Sequence, residues 1–359
     1  MNVQRIVHAL RAAVMLLAIG LAPARAGASD IAIPRDSVDL PGDVLEQTLP
    51  PVPHEHVQVR RGRFEFSYPA RMEPLVARSI EQAPRDARSI ANQLGLTDLP
   101  RLRVRFVRDL DGMRALAPRA APPPSYAVGV AYPRIGLTLV AMVSPGGREA
   151  VDVPRVLRHE ISHLLLAAAT EHADVPRWFS EGLAIQQAGE HDFTRFRTLA
   201  MAGFTGALLP LPRLDAAFAD GSGRVDIAYA QSASFVDFMM HSGGSARFPV
   251  LVVHLREGMG FEQAVRETYA RSLLNVDADW RQEVRVRFLT APLWAGTGLL
   301  WIAAAGLLVL AAARRRQRGR EIMARWEAEA EALAGLHIQI VSPGAATMAH
   351  DHESDPRLN

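Results

Sequence analysis

Between residues 156 and 166 the chain reads VLRHEISHLLL, an apolar segment at helical spacing that carries His159, Glu160 and His163 in its middle. On an α-helix, residues four apart project from one face a turn from each other, so both imidazoles can address a single point. Glu160, directly after the first of them, sits where a carboxylate can reach a water held at that point. The bland alternative is a surface histidine pair on an amphipathic helix. The apolar flanks, VL before and LLLAAA after, argue for burial instead. Burying two histidines and a glutamate without partners costs several kcal/mol, and a metal ion supplies the partner. The chain contains no cysteine, so any zinc here has to be held by His, Asp or Glu.

This segment lies in a helix expected over Val153–Ala169, with Asp152 placed to cap its start and Pro154 in its first turn. A catalytic zinc takes three protein ligands and keeps a fourth position for water. The stretch PRWFSEGLAIQ, residues 176–186, offers Glu181 on the next expected helix, and the short TEHADVP loop would fold that helix back over the histidine pair.

HEISH followed by WFSEGLA resembles the gluzincin metallopeptidases, and most closely the bacterial peptidase MA-like domains related distantly to the aminopeptidase-N clan. The resemblance covers roughly residues 64–275. It implies zinc (Zn2+) held by His159, His163 and Glu181, with Glu160 as general base, acting on a peptide or protein substrate. It also implies a tyrosine on a helix after the glutamate helix as oxyanion donor. Tyr229 stands there, although a tyrosine packed on a core helix is an equal reading; Gln231 is the weaker candidate. Some gluzincins carry an acid one turn after the ligand glutamate to orient a histidine, but that place here is Ile185. Another group must then supply the orientation. The resemblance further implies that the edge of the strand expected over Ile135–Val143 aligns an extended peptide.

The expected fold class is α+β: a metallopeptidase-like domain with N-terminal strands and C-terminal helices, plus one C-terminal transmembrane helix. RFEFSYP (63–69) and LRVRFV (102–107) alternate as strands, and Val128–Tyr132 and Ile135–Val143 read as a hairpin. Helical spacing runs over Glu73–Leu94, ending at Gly95, and later over Ile227–His241, Ala246–Arg256, Phe261–Tyr269 and Asp277–Leu289.

Along the chain this gives a signal peptide over 1–26, an extended lead-in over 27–57, the peptidase MA-like domain over 58–290, a transmembrane helix over 293–313 and a cytoplasmic tail over 314–359. The span rests on the uncharged run LWAGTGLLWIAAAGLLVLAAA, and RRRQRGR after it marks the inner side. Expected localisation follows: the cell inner membrane, single-pass, with the domain on the periplasmic side. The membrane is thus an expected partner, and the tail's own partner is open.

Forty basic residues, all arginine, nearly balance 38 acidic ones for a net charge of +2. With no basic stripe carrying interleaved aromatics, no nucleic-acid partner is expected. The pairs His54/His56 and His350/His352 read as solvated loop residues, His172 and His191 as surface, and His8 as part of the signal. The rival to the enzyme is a non-catalytic binding or assembly module of the cell envelope on the same fold.

Overall fold

Alternating side chains build the sheet first. In a computed structural model of the chain, which describes residues 40–145, 150–190, 193–218, 224–244, 246–294 and 298–335, the strands are β1 (His56–Arg61), β2 (Phe64–Pro69), β3 (Leu102–Val107), β4 (Gly129–Tyr132) and β5 (Leu137–Ala141). They form one sheet in the order β1-β2-β3-β5-β4. β2, β3 and β5 run parallel, while β1 pairs antiparallel with β2 and β4 antiparallel with β5.

Because side chains alternate across a strand, the sheet has two faces with two cores. Phe64, Phe66, Val104, Phe106 and Val140 face the main core. Val107, Val130, Tyr132, Leu137 and Leu139 face a smaller one. The main face is covered by α2 (Glu73–Leu94), whose register of Val76, Ala83, Ala87, Ile90 and Leu94 is buried, and which stops at Gly95 in the left-handed conformation. The smaller core is closed by α1 (Gly42–Gln47) and α3 (Leu110–Leu116). Leu45 of α1 is fully buried there, so part of the expected extended lead-in is a packed helix. Arg105, buried on this face, donates to the carbonyls of Pro50 and Leu116 and ties the N-terminal segment down.

Beyond the sheet the chain is helical: α4 (Val153–Ala169), α5 (Arg177–Ala188), α6 (Phe193–Thr205), α7 (Leu214–Ala217), α8 (Val225–His241), α9 (Arg247–Arg256), α10 (Phe261–Tyr269) and α11 (Leu273–Trp294). α4 is buried nearly all round, with Val156, Leu157, Ile161, Leu164, Leu165 and Leu166 in the main core, as a helix that is apolar on every side must be. Trp178 and Phe179 at the start of α5 meet Phe235, Phe248 and Phe261 in an aromatic cluster that fixes the α5 axis. α5 and α8 cross at Gly182, where a Cβ would lie 2.4 Å from the carbonyl oxygen of Ser232.

The α+β order, strands early and helices late, is as expected; the transmembrane helix is not. Among the described residues no helix is long and apolar enough to cross a membrane. The chain divides at Leu289/Thr290 into two units, and the second contains α12 (Gly298–Gly335). Of the apolar string 293–313, residues 293–294 end α11 and residues 298–313 lie in α12, while residues 295–297 lie outside the described residues. The uncharged stretch of α12 to Ala313 is 313 − 298 + 1 = 16 residues, about 24 Å of helix against roughly 30 Å of hydrocarbon. Arg314, Arg315 and Arg316 follow without a break. The expected single-pass placement in the inner membrane, with the domain on its periplasmic side, rested on that span and is overturned with it, and the membrane as partner gains no support from the structure. The signal-peptide assignment (1–26) lies outside the described residues.

Candidate metal centre

α4 and α5 set the geometry. The carboxylate of Asp152 accepts from the backbone N–H of Arg155 and starts α4 where expected. The intervening turn carries Glu171 and His172 in the left-handed conformation, at φ 51° and 62°, and reverses the chain within a few residues. α5 then begins at Arg177, whose N–H and that of Trp178 donate to the Asp215 carboxylate at 3.1 and 2.7 Å. This places Glu181, one turn in, over the face of α4 that carries the histidines.

His159, His163 and Glu181 come together, with one possible ligand atom from each lying within 4.8 Å of the others. Both Nε2 atoms approach the same oxygen, Oε2 of Glu181, at 3.6 Å from His159 and 3.9 Å from His163. The rings meet edge to face with centroids 4.9 Å apart. All three residues are at most 2% exposed, as is Glu160.

Each ring is held from behind. Nδ1 of His159 lies 3.1 Å from Oε1 of Glu190, and Nδ1 of His163 lies 2.9 Å from Oγ of Ser180. Glu190 is buried and pairs in turn with Arg195 at 2.8 Å. It is the acid absent from position 185. It comes from just beyond the end of α5, where Gly189 in the left-handed conformation turns the chain back. The sequence carried no periodic signal for it; Gly189 followed by an acid was the only cue. Ser162 donates to Gln187, which donates to Gln93, so a polar chain also ties α4 to α5 and α2.

The other candidates fall out differently. Tyr229, half-buried on α8, packs edge-on against Phe218 at 4.9 Å. Gln231 spends both ends of its amide on the backbone N–H and carbonyl of Leu209, which makes it a structural clamp. His56 lies half-buried in β1 and not in a loop, His54 is exposed just before it, and His172 is in the α4–α5 turn. His8, His191, His350 and His352 lie outside the described residues. The strand β5, expected to offer its edge to a peptide, is interior to the sheet between β3 and β4, so that expectation is corrected: the outer strand on this side is β4.

β4 reaches Glu160 through Gly129. A Cβ there would lie 2.5 Å from Oε1 of Glu160 and 2.7 Å from Cγ1 of Val156, so only glycine lets the strand and the carboxylate approach this closely.

Electrostatics shows what the cluster lacks. Burial opposes charge on His159, but Glu190, Glu181 and Glu160 outweigh it and push its pKa up to about 10. Burial and the neighbouring His159 cation drive His163 down to about 3. Burial pushes Glu160 up to about 8, with His159 opposing and Glu181 and Glu190 adding to it. Burial also works against Glu181 and Glu190, yet both stay below the usual carboxylate range, Glu181 through the two histidines and Arg177, Glu190 through His159 and Arg195. The Nε2 atoms of both histidines and all four carboxylate oxygens of Glu160 and Glu181 are buried without a hydrogen-bond partner. Buried polar atoms are almost always paired, and these converge on one point. Two imidazoles and a carboxylate in that arrangement fit a divalent cation.

An α-helix bearing the histidine pair, a second helix crossing it with a carboxylate, and a sheet whose outer strand lies alongside define a metallopeptidase-like domain. Residues 111–286 match the family model of the peptidase MA superfamily, whose members are typically metal-dependent. The match takes in β4, β5 and every residue of the cluster. No curated protein matches the chain.

Proposed function

We propose that this domain, taken as residues 58–290, is a zinc-dependent peptidase that hydrolyses peptide bonds, with His159, His163 and Glu181 holding the ion. One observation carries the reading: two Nε2 atoms face one carboxylate oxygen, at 3.6 and 3.9 Å, while both Nδ1 atoms are engaged elsewhere. That division leaves each ring the tautomer a metal ligand needs. Zinc, when bound, supplies Lewis acidity that acidifies a water and polarises a carbonyl.

The chain's own groups do the rest. The carboxylate of Glu160, unpartnered and buried beside the cluster, takes the proton of the attacking water and hands it to the leaving amine. Tyr229, on the helix after the glutamate helix, donates its phenol to the developing oxyanion. β4, outermost in the sheet and touching Glu160 at Gly129, aligns the extended substrate.

The test is cleavage of an unstructured protein such as casein by the zinc-loaded full chain and by Glu160→Gln. Proton transfer by a positioned carboxylate contributes about 10²–10⁴-fold, so the variant should lose at least 10²-fold in rate and keep its zinc. Zinc bound with no cleavage by either chain would favour the non-catalytic module.

A further inference from the structure

Glu181 divides its two oxygens between two neighbours. Oε2 faces both imidazole Nε2 atoms, whereas Oε1 faces Nε of Arg177 at 3.5 Å, an ion pair slightly too long for a hydrogen bond. Arg177 is four residues earlier on α5, its side chain is only 17% exposed, and its guanidinium sits over the ring of Phe218 at 5.1 Å from the centroid. Its backbone is equally fixed, since Asp215 accepts from the N–H groups of both Arg177 and Trp178. A buried cation is costly unless it is paired, and the carboxylate it pairs with here is the one that faces both imidazoles.

Three carboxylates, Glu160, Glu181 and Glu190, are buried around the cluster. Arg177 pairs with Glu181 and Arg195 with Glu190. With both imidazoles neutral, Glu160 is the carboxylate of the three that no guanidinium pairs with among the described ion pairs.

Resting on the metal-centre reading above, we propose that Arg177 is a positioning residue: it holds Oε1 of Glu181 away from the ion, so that Oε2 is the single carboxylate donor. Arg177 touches neither substrate nor ion; it acts through Glu181.

The experiment measures Zn2+ affinity of the full chain by competition with a chromophoric chelator, for the wild type, Arg177→Gln and Arg177→Lys. Outer partners of metal ligands typically contribute 10–100-fold in affinity, so Arg177→Gln should bind Zn2+ about 10–100-fold more weakly, and Arg177→Lys should recover part of the loss. If Arg177 merely repelled the ion, Arg177→Gln would bind as tightly as the wild type or more tightly, and the proposal is overturned. X-ray absorption of the zinc-loaded wild type decides the matter should Arg177→Gln not fold: one carboxylate oxygen at the ion is expected, and two overturn the proposal. A wild type that binds no Zn2+ instead removes the metal-centre reading itself.

Discussion

Nδ1 of His159 lies 3.1 Å from Oε1 of Glu190, a carboxylate that reaches it from beyond the end of the neighbouring helix and is itself anchored by Arg195. In the neutral ring that holds a metal, this contact would take the N–H of Nδ1 and leave Nε2 to face Glu181. Replacing Glu190 by alanine removes the acceptor, frees the ring and deletes the carboxylate that pairs with Arg195. Zn2+ affinity of Glu190→Ala should fall by about 10–100-fold, measured by chelator competition. An unchanged affinity would show that Glu190 orients nothing.

Gly129 sets the distance between β4 and Glu160. A methyl group there meets Oε1 of Glu160 at 2.5 Å and Cγ1 of Val156 at 2.7 Å. Gly129→Ala should destabilise the domain by about 1–3 kcal/mol, the usual cost of overpacking, and should lower the cleavage rate while zinc stays bound, because the displaced group, Glu160, is not among the three proposed ligands. Urea unfolding and turnover on the same preparation measure both.

Asp215 starts α5 from outside it, accepting two backbone N–H groups at 3.1 and 2.7 Å. Loss of such a cap costs about 0.5–2 kcal/mol. Asp215→Ala should show that loss in chemical denaturation, and Asp215→Asn, which keeps one acceptor oxygen, a smaller one. Equal stability of all three chains would mean that the aromatic cluster alone fixes α5.

Glu171 stands exposed with φ at 51° in the turn between α4 and α5. The left-handed conformation costs a side-chain-bearing residue about 1–2 kcal/mol, whereas glycine pays only its larger unfolded-state entropy, about 0.5–1 kcal/mol. Glu171→Gly should therefore be neutral to mildly stabilising, up to about 1 kcal/mol. Asp174→Gly in the same turn, where φ is negative, should destabilise. Thermal unfolding of the two variants makes the comparison.

How much of this was legible in the sequence depended on whether the signal was local. β2, β3, α2 and α4 stood out because their side chains repeat at the period of the element, and Gly95 and Asp152 punctuate them. The convergence of His159, His163 and Glu181 was legible for the same reason: a four-residue spacing and a short turn fix it. β1 was missed because it is an edge strand with every residue half-buried or exposed, so its alternation is weak. α1 was missed because only Leu45 of its six residues is buried. Glu190 follows a helix end, where no period predicts direction. The apolar run 293–313 misled because hydropathy counts residues along the chain, whereas among the described residues no helix is long and apolar enough to cross a membrane.

The central claim is that three side chains from two helices hold one divalent ion, and metal content tests it most directly. Elemental analysis of the purified full chain, exposed to zinc and then dialysed, should find one equivalent of zinc, and the His163→Ala and Glu181→Ala chains, if folded, should each retain well under half of it. No stoichiometric zinc in the wild type, or undiminished zinc in both variants, would contradict the claim.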